Sequence, residues 1–541
     1  MSNYNKISIF SLFLFLHSIF SPCSYALDFI VTPKDDLKFQ QETHIDKIEV
    51  KGSTILTQRQ IDYLILNKTA QKPLTEDLAK EIAQAITKVY IDQGYLTSRA
   101  IYKGVISGTG QIEVQEGGIE NIVIEGTTKL TNYIRSRVEQ ATSRPLNISK
   151  LEEQLLLLKQ DPRFESFKAT IKPPVDNSSQ SILLIQVKES KNWIANIGIS
   201  NYLNSPSIGA TTLNFSFGLL SLTPLGDSFT VTYNPAVANF SGTYLLDINY
   251  QVPINPQNGT IMVRTVINRS QVIEGEVSAL DITGSSELYQ LHYRQPLFTH
   301  PNEEFALTFG FDYQSGQNLA FQGTIPIPTL GSTDNGEIKT SVFIFGQDYY
   351  KKDEQGIWLL SSQFNVGTYL FGANKNDAPL PDSAFFSWLA KVQRLQIIDP
   401  NNTLIISADF QISSKPLLTS QQFVIGGEYS VRGYRQNVIA GDNGIRFSIE
   451  DRISLARDEK NRTVFTIAPF LDVAGIKNNI NNPTPIILNH TLLVGLGFGL
   501  IWEPTENWTM RLDYAPPLEY LNLRGNNIQD NGFYFSMNYR F

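Results

Sequence analysis

The chain has 541 residues, enough for two or three domains, with 18% charged and 11% aromatic residues and a formal net charge of -8. That acidic balance argues against nucleic acid as a partner, because phosphate binding needs a basic face. Mean hydropathy is slightly negative at -0.14, which excludes a helical membrane protein, whereas apolar residues spread by alternation in a charge-poor, aromatic-rich chain suit a transmembrane barrel.

The one long apolar run lies at the start: Lys6, then Ile7, Ile9, Phe10, Leu12 to Leu16 and Ile19, closing on Ser24-Tyr25-Ala26. A basic end, an apolar stretch of roughly a dozen residues and a small-x-small site read as a secretory signal over 1–26, followed by a linker over 27–44. A spanning helix competes with this reading, but the run is short and no stop-transfer pattern follows it. Lipidation of Cys23 is a second competitor, and Phe20-Ser21-Pro22 is a poor lipobox. Cys23 is the sole cysteine, so the mature chain has no thiol for a disulfide, a metal or nucleophilic catalysis. No other stretch could cross a bilayer as a helix; residence in a membrane therefore means a barrel.

Residues 45–190 are more charged and carry helical periodicity and an internal repeat. Ile45-x-x-Ile48-x-x-x-Gly52 recurs as Ile119-x-x-Ile122-x-x-x-Gly126, and Val114-Gln115-Glu116 recurs as Val187-Lys188-Glu189. Each copy (45–118 and 119–190) reads β-α-α-β-β, a three-stranded sheet covered on one face by two helices. In the first copy a helix runs from a Thr75 cap to about Gln93, with Leu78, Ile82, Ala85, Ile86 and Val89 as its apolar stripe and Gly94 as its stop. In the second, Ser149 and Glu152 have capping-box spacing before Leu151, Leu155 and Leu158. Most of these residues are core. Function would lie in the exposed sheet edges and the helix-edge groove; a free strand edge can pair with an extended peptide through backbone hydrogen bonds whatever its sequence.

From 191 to 541 the pattern changes to runs of about ten residues with period-two alternation, separated by Asn, Asp, Gly, Pro and Ser clusters. Examples are 227–233, 243–250, 304–313, 340–349, 403–411 and 507–514, in an antiparallel barrel of about sixteen strands. In the last run Phe533, Phe535, Met537, Tyr539 and Phe541 point one way, toward lipid, while Tyr534, Ser536, Asn538 and Arg540 point into a wet lumen. A soluble sandwich array or propeller is the alternative, but no blade-length repeat is present.

The five histidines (His17, His44, His292, His300, His490) are scattered without ligand spacing, so no metal is expected. No phosphate loop and no G-x-S-x-G elbow appear. Neither an enzyme nor a cofactor is indicated.

The connection at about 413–444 is unusually long and holds Phe423-Val424-Ile425-Gly426-Gly427 and Val431-Arg432-Gly433-Tyr434-Arg435. A loop folded back into a barrel would need such a mixed apolar and cationic tip. This segment resembles the tip of the barrel-inserted loop of the outer-membrane assembly and transport superfamily, and the repeats resemble its polypeptide-transport-associated (POTRA) domains. Two repeats, with 91–99 (IDQGYLTSR), 112–119 (IEVQEGGI) and 423–435, look like the TpsB transporters of two-partner secretion, the ShlB-FhaC-HecB family. The resemblance implies a secreted TpsA-like exoprotein as partner, contact with outer-membrane lipid, the barrel-assembly machinery as partner during biogenesis, and the C-terminal aromatic strand as its signal. It implies a pore-gating role for Val431, Arg432, Gly433 and Tyr434, with Arg432 paired to Asp472 on the lumen wall beside Phe470 and Gly475. Here one extra residue precedes Gly475 compared with the family spacing. A plug helix, frequent in the family, hardly fits in 27–44. The rival readings are an assembly factor of the same superfamily and a passive porin.

Overall fold

The computed structural model describes residues 45–69, 72–172, 180–321, 323–480, 482–483, 492–519, 521 and 524–541. The expected signal, linker and plug segment, Cys23, His17, His44 and His490 lie outside these. Contacts divide the chain between Ser190 and Lys191 into two units.

The first unit holds both repeats. In the first, β1 (Lys47–Lys51), α1 (Gln58–Thr69), α2 (Glu76–Asp92), β2 (Arg99–Ile106) and β3 (Thr109–Gln115) form a sheet in the order β1-β3-β2. The second repeats the plan with β4 (Gly118–Glu125), α3 (Thr131–Val138), α4 (Ile148–Lys159), β5 (Phe164–Lys172) and β6 (Gln180–Glu189), in the order β4-β6-β5. Thr75 caps α2 by accepting from the Leu78 N–H. The buried stripe of α2 runs through Leu78, Ala79, Ile82, Ala83, Ile86 and Tyr90, so it is turned slightly away from Ala85 and Val89, which are half-buried. The α4 cap is Asn147 rather than Ser149: its side chain accepts from the Lys150 N–H, and Ser149 falls inside the first turn.

The repeated glycines have a physical reason. Gly52 and Gly126 have φ of +87° and +91°, and a Cβ there would stand 2.6 Å from the Val114 carbonyl oxygen and 1.9 Å from that of Val187. Both therefore need a residue without a side chain, which lets β1 or β4 end hard against the last strand of its own sheet. Beside each glycine a threonine bonds the glutamate that closes that strand, Thr54 with Glu116 and Thr127 with Glu189.

Glu116 accepts from the Thr54 N–H (2.6 Å), the Thr54 hydroxyl (2.7 Å) and the Tyr90 hydroxyl (2.7 Å). Burial pushes its carboxyl up, but these donors outweigh burial and hold it below its ordinary value of 4.5. The folded domain thus binds this proton more weakly than the unfolded chain. The stability that Glu116 supplies is complete above about pH 4.5 and is lost as pH falls through the lowered folded value. Limited proteolysis of the full chain in detergent should show the first repeat loosening in that acid window, and Glu116→Gln should remove the pH dependence there. An unchanged acid profile in that variant would refute the assignment.

The two repeats are joined through their backbones. The Ile148 N–H donates to the Gly94 carbonyl (2.9 Å) and the Leu146 N–H to the Gly117 carbonyl (2.8 Å), reinforced by Arg144 Nε on the Glu116 carbonyl (2.9 Å).

The second unit is a closed antiparallel barrel of sixteen long strands, β7 (Trp193–Ser200) to β22 (Phe533–Arg540), plus a two-residue strand, Ile325–Pro326. No helix among the described residues is long and apolar enough to cross a membrane. Outward-facing rings form a girdle: Phe309, Phe345, Phe364 and Trp388 stand in register on four adjacent strands. Inward faces are polar and internally paired, as with Arg264, which bonds Asp247 (2.6 Å) and Gln290 (3.2 Å). The last strand alternates as expected, with Phe533 exposed and Tyr534 fully buried. Phe541 donates its N–H to the Ala195 carbonyl of β7, so the chain end takes part in closure.

Candidate functional site: an in-folded loop on the barrel wall

The long connection joins β17 (Asn402–Ser413) to β18 (Asn443–Arg457). Its stem is a short hairpin, Phe423–Ile425 paired with Ile439–Gly441. Between them the tip is buried: Val431, Arg432 and Tyr434 are each no more than 4% exposed. Phe423, Ile425, Val431, Tyr434 and Ile439 share one apolar cluster with Ala474, Ile476 and Leu493 of the wall. The loop therefore packs inside the barrel, driven by the apolar side of its stem.

Strand register prepares the wall that receives it. Across β18, β19 (Thr463–Lys477) and β20 (Leu492–Trp502), Ser448 stands beside Asp472 and Asp472 beside Gly495. One step along, Glu450 stands beside Phe470 and Phe470 beside Gly497. Asp513 of β21 (Trp508–Tyr514) is opposite Gly499. All these face inward, because period-two alternation puts every second residue of each strand on the lumen side.

Arg432 enters this pocket and uses most of its donors. Nε and Nη2 bond the two Asp472 oxygens at 2.7 and 2.9 Å, and its backbone N–H adds a third bond at 3.1 Å. Nη1 bonds Glu450 at 2.7 Å, and the guanidinium carbon lies 3.2 Å from the Phe470 ring centre. Asp472 also accepts from the Ser448 hydroxyl at 2.6 Å. Glu450 in turn holds Arg511 at 2.8 Å, and Arg511 forks onto Asp513 at 2.6 and 2.7 Å. The site is thus a buried alternation of guanidinium and carboxylate groups. Its planar, bidentate bonds fix the orientation of the tip as well as its charge.

The remaining expected residues fall as follows. The Gly433 N–H bonds the Tyr534 hydroxyl (2.9 Å), which donates to the Tyr434 carbonyl (2.6 Å), and the Tyr434 hydroxyl donates to the Val494 carbonyl (3.0 Å). Gly475 does not share the site. In β19 the inward series is Phe470, Asp472, Ala474, so the extra residue that precedes Gly475 turns it to the opposite face. Of the C-terminal series, Phe533, Phe535, Met537, Tyr539 and Phe541 lie away from the loop, while their neighbour Tyr534 meets it.

Several participants escaped the sequence reading: Glu450, Arg511, Asp513, Tyr534 and the glycines of β20. A Cβ on Gly495 would stand 2.1 Å from the Arg432 carbonyl oxygen, one on Gly497 2.1 Å from that of Tyr514, and one on Gly499 2.4 Å from Asp513. The signal was visible as Gly-x-Gly-x-Gly at strand period, which clears the inward face under the tip. Among the described residues, no group of three or more His, Cys, Asp or Glu side chains is arranged to hold a metal.

Comparison with known proteins agrees with this architecture. The family described as haemolysin secretion/activation protein ShlB/FhaC/HecB matches residues 179–501, and the ShlB-type POTRA domain matches residues 43–117. The outer membrane transporter CdiB of Escherichia coli O6:K15:H31 (strain 536 / UPEC) is 25% identical over 425 residues, covering 74% of this chain and 67% of that protein. The heme/hemopexin transporter protein HuxB of Haemophilus influenzae (strain 86-028NP) is 21% identical over 502 residues, covering 90% of this chain and 85% of that one. The solved structure of CdiB from Escherichia coli superposes with a TM-score of 0.70 at 21% identity, covering 94% of this chain and 93% of that one. The chain therefore belongs to the haemolysin secretion/activation protein family ShlB/FhaC/HecB, non-enzymatic transporters of two-partner secretion with a barrel in the outer membrane and periplasmic POTRA domains.

Proposed function

We propose that the transporter exports one large exoprotein, which docks unfolded on the free edges of the two small sheets and threads through the bore past a displaced tip loop. The observation that carries this reading is a long edge strand on each repeat with no further strand on its outer side among the described residues: β5 with nine residues, and β2 with eight, where the Ala100 N–H is already taken by the Thr87 hydroxyl (2.9 Å). An extended chain added there is held by main-chain hydrogen bonds, so many cargo sequences fit. The cargo's folding outside the cell supplies direction without nucleotide hydrolysis. In the resting protein, Arg432 and Asp472 hold the tip loop in place and set the pore conformation. The terminal strand with Phe533, Phe535, Met537, Tyr539 and Phe541 faces lipid and serves as the signal read by the barrel-assembly machinery.

Hydrogen exchange on the full chain in detergent tests the docking step, with the exoprotein that disappears from the medium on disruption of the transporter, denatured, as probe. Amides of β2 and β5 should become protected. Export of that exoprotein with no protection at either edge would remove the edges from the mechanism. Disruption of the transporter should deplete that one exported protein; a general loss of outer-membrane proteins would instead favour an assembly factor.

A further inference from the structure

The tip carries a second arginine three residues after Arg432, and it points to a different carboxylate. Arg435 Nε and Nη2 bond the two oxygens of Asp530 at 2.5 and 2.7 Å. Asp530 lies in the connection between β21 and β22, remote from the Asp472 pocket in sequence and on no wall strand. Its carboxylate is 1% exposed and is oriented by the Asn527 N–H at 2.9 Å, so it is held as a fixed acceptor. The preceding residue in that connection reaches the tip as well: Gln529 accepts from the Gln436 N–H at 3.3 Å. Gln529 also donates to the Asn201 and Asn204 carbonyls. Asn201 bonds the Phe533 carbonyl (2.9 Å) and the Phe535 N–H (2.7 Å) of the last strand. That is the place where the barrel closes, along a β22–β7 ladder of only five residues, Asn196 to Ser200.

The two arginines differ in surroundings. Arg432 is 5% exposed, and its partners Asp472 and Glu450 are buried with it. Arg435 is 15% exposed, and 3.6 Å from its Nη2 stands Glu274, 38% exposed, on the connection after β11 (Thr260–Gln271). Water reaches the Arg435 and Glu274 side of this contact but not Asp530, and Glu274 is a second carboxylate placed to receive the guanidinium when it leaves the first. Parting therefore moves the guanidinium from one carboxylate to another, although it leaves the buried Asp530 with backbone N–H donors alone, that of Asn527 among them, so the contact is a firm one. Release of Arg432 would strand Asp472, with no second acceptor for the guanidinium on an exposed side among the described residues.

We propose that Arg435 and Asp530 form a second latch that holds the tip loop at the extracellular end of the bore in the resting transporter and parts before cargo passes. Both are positioning residues, and Glu274 is the guanidinium's acceptor in the released state. The proposal rests on the loop leaving its resting seat during export, as in the function proposed above.

Conductance of the purified full chain in planar bilayers tests it without cargo. Arg435→Gln and Asp530→Asn should each raise the open fraction roughly tenfold or more. The double variant should be no leakier than the leakier single one, because both remove the same contact. Heat-modifiable migration on gels confirms that each variant forms a barrel; if Asp530→Asn does not assemble, Arg435→Gln alone carries the measurement. Wild-type open fractions in the singles would overturn the proposal, and so would additive effects in the double, which mark two independent perturbations. Failure of the edge-docking reading leaves conductance untouched, so the two ideas fail separately.

Discussion

Arg432→Ala should abolish export while leaving a folded, membrane-inserted barrel. The substitution removes three bonds to carboxylates and one ring contact, and it strands Asp472 with only the Ser448 hydroxyl and the residue 432 backbone N–H. Breaking a buried ion pair by deleting one partner costs about 3–5 kcal/mol. The docked state of the loop should therefore lose two orders of magnitude or more in population, at about 1.4 kcal/mol per tenfold. Glu450 keeps Arg511 and Arg452, so the wall itself stays compensated and the barrel survives. Arg432→Lys should be intermediate, because an ammonium restores the charge but cannot fork onto Asp472 while reaching Glu450. Exoprotein in the culture medium, normalised to heat-modifiable transporter in the outer membrane, measures the effect. Wild-type secretion by Arg432→Ala would exclude the loop from the transport cycle.

Gly495→Leu should give the same secretion defect without touching any charge. Even the first added carbon would stand 2.1 Å from the Arg432 carbonyl oxygen, a backbone atom that cannot swing aside as a side chain can. The tip then has to rise from the wall, and the bidentate bonds to Asp472 lengthen with it. The barrel ladder at this point stays intact, since Gly495 pairs normally with Asp472 and leucine suits a strand. The same secretion assay reads the result, and protease accessibility of the loop in intact cells reports whether the tip has risen. A fully secreting Gly495→Leu protein with a protected loop would show that the tip is not seated against β20.

What could be read in the sequence follows from how local each signal is. The repeats and the barrel were legible because alternation and helical stripes are written within ten to twenty neighbouring residues. The in-folded loop was legible because its stem is apolar where a surface connection would be polar, and Arg432 stood out between glycine and valine. Glu450, Arg511 and Asp513 were not legible as partners. Each is one more inward polar residue of a strand, and only the lateral register of four strands makes them neighbours. Gly475 shows the opposite error. A motif-like spacing suggested the lumen, but one residue of offset in a strand moves a position to the other face. The capping of α4 was misplaced by two residues because Asn147 and Ser149 are both competent caps, and the choice went to the one that also bonds the Gln93 carbonyl in the preceding repeat.

The joint between the two small sheets is fastened on main-chain carbonyls at two separate stretches of the first repeat: Gln93 and Gly94 accept from Asn147 Nδ2 and the Ile148 amide, Glu116 and Gly117 from Arg144 Nε and the Leu146 amide. Two of the accepting positions are closed to larger residues: a Cβ on Gly117 would stand 2.3 Å from the Thr97 carbonyl oxygen, and Gly94 has a φ of +88°. Fastening at two stretches rather than one opposes a simple hinge, so a pull on the first repeat is passed to the second through four hydrogen bonds as well as through the covalent chain.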